Sequence, residues 1–122
     1  MKIIETKQVK IDILERTEDY ALSIIDLFRI IENDSVGKIL GRQLLKAGTS
    51  VGANIEEAQG AQSKADFISK MSIAYKEVRE ASFWIRLIRK TILIPTTQAE
   101  KLLEETIEIA KILASILISS KQ

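Results

Sequence analysis

The chain has 122 residues, enough for one domain with a real core, and its net charge of +1 selects neither a nucleic-acid nor an acidic partner. It contains no cysteine and no histidine, which excludes disulfides, thiolate metal sites and mechanisms built on an imidazole base. Ile, Leu, Val and Ala supply the apolar mass, and one proline and five glycines leave few breaks, which favours long helices.

Residues 1–11 alternate weakly (Ile3, Val9, Ile11) and read as an extended or frayed arm, without the apolar core of a signal peptide. A first helix is predicted from about Asp12 to Asn33, where Leu14, Ala21, Ile24, Ile25, Phe28 and Ile31 recur at helical spacing. Asn33-Asp34-Ser35 supplies a turn. A second helix is predicted from about Val36 to Gln59, with Leu40, Leu44, Ala47, Val51, Ile55 and Ala58 stepping 4-3-4-4-3. Gly60 is expected to end it in the left-handed cap conformation. Ser63-Lys64-Ala65-Asp66 has the form of a capping box and opens a third helix, residues 64–92. Phe67, Met71, Ala74, Val78, Ala81, Ile85 and Ile88 give that helix an unbroken heptad seam. Pro95 interrupts the chain, and Thr97-Gln98-Ala99-Glu100 is expected to cap a fourth helix over about 97–119. The fold class is therefore all-α: one domain, an antiparallel up-down-up-down four-helix bundle. No apolar run approaches the ~20 residues needed to span a bilayer, and a cytoplasmic protein is expected.

The fourth helix carries more apolar surface than a bundle needs. Leu102, Thr106, Ile109, Leu113 and Ile116 make one stripe; Leu103, Ile107, Ala110, Ala114, Leu117 and Ile118 make a second. A helix apolar on two sides must be covered on two sides. Ile107 and Leu117 are accordingly expected at a subunit interface, together with Trp84, which lies off the seam of the third helix. The second helix instead has a thin face. Gly48 and Gly52 are four residues apart, and each interior glycine costs ~1 kcal/mol relative to alanine, so close approach of another helix is expected there. Thr49 and Ser50 can bond back to backbone carbonyls. Asn54 is expected to be a buried amide fixing register between helices.

Chemistry is sparsely signalled. Glu56, Glu57, Glu77 and Glu80 could converge between the second and third helices. Di-iron bundle sites pair such acids with histidine, however, so no metal, no cofactor and no catalytic residue is predicted. These acids are expected to pair with Lys76, Arg79 or Arg42. The cations are better organised: residues 35–94 carry 10 basic and 5 acidic side chains. Lys38, Arg42 and Lys46 sit at successive i, i+4 positions. Lys76, Arg79, Arg86 and Lys90 line one side of the third helix, with Phe83 interleaved and Arg89 close by. Such stripes can track a phosphate backbone, and repetition in an oligomer would add their fields.

Gln43 through Ala58, then Ser63-Lys64-Ala65-Asp66-Phe67, Ile73-Ala74-Tyr75-Lys76-Glu77 and Phe83-Trp84-Ile85, resemble the bacterial four-helix-bundle proteins encoded in intervening sequences of 23S ribosomal RNA genes. These are sometimes labelled ribosomal proteins. Lys46-Ala47 stands where that family usually has Arg-Ser, and Phe83 where tyrosine is common. The family is similar to the accessory proteins of diversity-generating retroelements. The resemblance implies a homopentameric ring, an RNA or DNA partner and no catalytic residues. A protein-binding adaptor, whose glycine face or outer grooves receive a partner helix, is the alternative.

Overall fold

A computed structural model describes the backbone of residues 7–91 and 94–122 and the side chains of residues 13–91 and 94–122. Among these are four helices and no strand: α1 (Lys7–Ile31), α2 (Ser35–Gln59), α3 (Lys64–Lys90) and α4 (Thr96–Ser120). At 1.5 Å per residue each helix runs roughly 37–40 Å. No described helix is long and apolar enough to cross a membrane.

The first helix begins earlier than the sequence pattern suggested. Lys7–Ile11 are helical, while residues 1–6 of the expected arm lie outside the described residues, as does Ile92 at the expected end of the third helix. The core stripe of α1 is also phased differently. Ile13, Thr17, Tyr20, Ile24, Leu27 and Ile31 are buried, and Leu14, Ala21, Ile25 and Phe28 only flank them. Thr17 and Tyr20 can occupy core positions because their hydroxyls are bonded. The Thr17 hydroxyl donates to the carbonyl of Ile13 (2.8 Å), and that of Tyr20 meets Thr106 Oγ1 (2.7 Å).

Local chemistry sets the other boundaries. Asp34 caps α2, its Oδ1 accepting from the Gly37 N–H at 2.8 Å. Gly60 ends α2 at φ −101°, not in the left-handed region. Its N–H reaches the carbonyls of the last turn directly, so a positive φ is not required. Ser63 caps α3 by accepting from the Asp66 N–H (3.0 Å), and Asp66 Oδ2 accepts from the Gln62 N–H (3.2 Å). The box is thus shifted by one residue on its return bond. The expected box at Thr97 does not form: α4 starts one residue sooner, with Pro95 at the cap and no side-chain capping bond. Glu100, its supposed return acceptor, is instead bonded to Arg89 across the α3–α4 turn.

The helices pack in ring order, with α2 against α3 most extensive and α1 against α4 least. The core centres on α3, whose Met71, Ala74, Val78, Ala81, Ile85 and Ile88 have no exposed surface. The thin face of α2 lies on α1. A β-carbon added at Gly37 would sit 2.3 Å from the Ile31 carbonyl oxygen, and one added at Gly48 would sit 2.1 Å from Ile24 Cδ1. Gly41 meets Phe28 and Gly52 meets Thr17. Contacts that climb α2 as they descend α1 make the pair antiparallel. At opposite ends of the α3–α4 pair, Arg89 reaches Glu100 and Lys64 Nζ reaches the Gln122 carbonyl, so this pair is antiparallel too.

Candidate interaction site

The α3–α4 groove is built from the second apolar stripe of α4 and the cationic side of α3. Steps of 4, 3 and 4 residues keep Leu103, Ile107, Ala110 and Ala114 on one line of α4, and Ile118 follows. The first α4 stripe is fully taken by the core. The second is not: Ile107 is 45% exposed and Ile118 63% exposed, with Ala110 and Ala114 half-buried between them and Leu103 half-buried before them. Leu117, expected at a subunit interface, is buried within the protomer, because its position turns toward the first stripe. The groove measures about 630 Å³; Val78, Tyr75, Ile107, Ala110 and Ala114 make its floor.

Lys76, Arg79, Arg86 and Lys111 stand around this floor. Arg79 lies over the Tyr75 ring (5.7 Å) and Arg86 over the Phe83 ring (5.9 Å). Aromatic faces hold both guanidinium groups in place without neutralising them. Among the described residues, the inter-helix ion pairs are Arg16–Glu105 and Arg89–Glu100; Lys111 has a neighbour, Glu108, at 3.6 Å on its own helix. The network expected between Arg42, Lys76 or Arg79 and the four glutamates is therefore absent. Helical phase explains it. Glu56 lies on the α1 side of α2, beside Thr17 and Ala53, and Glu80 accepts a bond from Trp84 Nε1 at 3.2 Å. No group of three or more acidic side chains among the described residues is placed to hold a metal ion.

Lys38, Arg42 and Lys46 are exposed on the outer side of α2; the α3–α4 groove contains Lys76, Arg79 and Arg86 and none of the α2 cations. Lys90 is exposed on α3. Two separate basic surfaces result. Gly48 and Gly52 are covered by α1 within the protomer, so the glycine face is not open to a partner helix. Asn54 does not bridge helices. Its amide donates to the Ser50 carbonyl at 2.9 Å, one turn back on α2, as Thr49 and Ser50 do to Leu45 and Lys46. Trp84 is half-buried and packs edge-on against Phe83, with ring centres 5.0 Å apart.

The α1–α4 junction adds residues beyond those the sequence pattern points to. Arg16 makes a two-pronged bond to Glu105, both contacts 2.7 Å. That bond and the Glu105 charge raise the Arg16 pKa. Beneath it, the Tyr20 hydroxyl donates to Thr106 Oγ1, which donates to the Leu102 carbonyl at 2.7 Å. Burial pushes the Tyr20 pKa up. A polar Thr106 within an apolar stripe was the available signal for a polar partner. Beside this clasp runs a groove lined by Asp19 and Asp26 from α1 and by Gln98, Lys101 and Glu105 from α4.

The class the fold defines is an all-α four-helix bundle with one uncovered apolar stripe on α4 and a groove rimmed by cations between α3 and α4. The chain belongs to the 23S rRNA-intervening sequence protein family, whose model matches residues 9–115. It is similar to a solved protein of unknown function from the S23 ribosomal protein family of Bacteroides thetaiotaomicron VPI-5482. The two are 38% identical with a TM-score of 0.82, over 86% of this chain and 97% of that one. No curated protein matches it.

Proposed function

We propose that the protein is a non-catalytic, homo-oligomeric binding protein whose assembled form holds RNA through cationic helix faces. The observation that carries this reading is the second stripe of α4, left uncovered in the protomer at Ile107 and Ile118. Full burial of one isoleucine is worth ~1.5–3 kcal/mol, so covering this stripe drives association. Five copies is the number the family resemblance implies. The exposed row Lys38, Arg42 and Lys46 supports the RNA partner, since a ring of copies repeats the row at regular intervals.

Fluorescence anisotropy with a labelled RNA tests the binding. The expected affinity falls steeply with salt, and Lys38→Glu with Arg42→Glu and Lys46→Glu flattens that dependence by about three released counterions. An unchanged salt slope in the triple variant contradicts the assignment. Ile107→Lys with Ile118→Lys is expected to reduce the solution mass, and an unchanged mass contradicts the role given to α4.

A further inference from the structure

We propose that assembly is head-to-tail, with the outer ridge of α1 of one copy seated in the α3–α4 groove of the next. The proposal rests on the self-assembly reading above and names the two surfaces that meet.

The ridge is Glu15, Asp19, Leu22 and Asp26, stepping 4-3-4, so the four side chains form one line along α1. All four are exposed, and Leu22 is 53% exposed with acids on either side of it. An apolar side chain framed by carboxylates calls for an apolar floor framed by cations. The α3–α4 groove is such a receptor: Ile107, Ala110 and Ala114 on the floor, Arg79 and Arg86 on the rim. Glu80 also lines this groove, its carboxylate accepting from Trp84 Nε1, and Lys76, Arg79, Arg86 and Lys111 outweigh its charge.

The spacings match as well as the signs. Asp19 and Asp26 are seven residues apart on α1, and Arg79 and Arg86 are seven apart on α3. Each pair therefore spans about 10.5 Å along its helix. Placing each carboxylate on one guanidinium brings Leu22, between the acids, to the level of Ile107, because the Arg89–Glu100 and Lys64–Gln122 contacts set the middle of the Arg79–Arg86 span opposite that residue. A ridge of one helix in the groove of a helix pair is ordinary ridge-into-groove packing. The two surfaces lie on different sides of the protomer, so one copy can use both at once. Such a contact is heterologous, and it repeats until the arrangement closes into a ring or extends. It engages Arg79 and Arg86 and leaves Lys38, Arg42 and Lys46 free for RNA.

Charge reversal followed by sedimentation velocity tests the pairing, with circular dichroism as the check on folding. Asp19→Lys with Asp26→Lys, and separately Arg79→Glu with Arg86→Glu, are expected to lower the assembled species to the 13.7 kDa protomer. The quadruple variant, reversed on both surfaces, is expected to assemble again. If either double variant keeps the assembled mass, or the quadruple variant stays monomeric, this docking is wrong while self-assembly stands. If the unaltered chain is itself monomeric, the assembly reading fails first. Should a reversal unfold the chain, Leu22→Ser and Ile107→Ser supply the same readout without a change of charge, each expected to weaken assembly at least tenfold.

Discussion

The contact between Gly48 and Ile24 makes a quantitative case. A methyl group at position 48 would lie 2.1 Å from Ile24 Cδ1, against ordinary carbon separations of about 3.5–4.0 Å. The Ile24 δ-methyl must therefore leave its place, and Ile24 has no exposed surface into which it could swing. Overpacking of this kind costs about 1–3 kcal/mol, against which alanine regains ~1 kcal/mol of helix propensity. Gly48→Ala is thus expected to destabilise by about 0–2 kcal/mol, and Gly48→Leu by several. Ile24→Val deletes the obstructing methyl and alone costs about 0.5–1.5 kcal/mol. In the double variant the new β-carbon fills the vacated space, so the two changes should couple favourably by about 1–2 kcal/mol. Urea unfolding at one fixed protein concentration, followed by circular dichroism, measures all four corners of the cycle. Additivity within about 0.5 kcal/mol would refute the reasoning. Gly60→Ala is the control: φ is −101° and, its chain neighbours aside, its β-carbon would come no nearer than 3.8 Å to another residue, so no loss is expected.

Two further outcomes follow from the caps and the clasp. Ser63→Ala should cost ~1 kcal/mol by removing the acceptor for the Asp66 N–H, whereas Thr97→Ala should change the denaturation midpoint little, because α4 has no side-chain cap; equal losses would contradict the placement of the caps. Tyr20→Phe should cost ~1 kcal/mol at neutral pH through the lost bond to Thr106. Because burial raises the folded pKa of Tyr20 above the unfolded value of ~10, its contribution is complete below pH ~10 and is lost as pH rises through the folded value. The stability gap between the unaltered chain and Tyr20→Phe should therefore narrow above pH 10, and a gap independent of pH would contradict the burial of that hydroxyl.

Features written into neighbouring residues were legible in the sequence. The α3 seam and the first α4 stripe repeat at fixed spacing, and the Ser63 cap lies within four residues of its partner. The phase of α1 was less legible because Thr17 and Tyr20 take core positions, which pattern reading assigns to aliphatic residues. Their suitability depends on bonds that only the fold supplies. Thr106 lies 86 residues from Tyr20, and Glu105 lies 89 from Arg16. No local pattern encodes such separations. The position of Asn54 within the thin helix suggested a cross-helix amide, yet the carbonyl one turn back was the nearer acceptor. For the binding surfaces, the cationic side of α3 and the surplus stripe of α4 were each visible. That they line one groove depends on how α3 and α4 rotate against each other. The acidic ridge of α1 emerges only from helical phase, which sets Glu15, Asp19, Leu22 and Asp26 on one line although they are scattered in sequence.

Sedimentation equilibrium of the unaltered chain across the micromolar range tests the account most directly. Uncovered Ile107 and Ile118, beside a groove with a complementary ridge, require a species several times the mass of one protomer, with RNA absent. A soluble species that holds the mass of a single chain at tens of micromolar would contradict it.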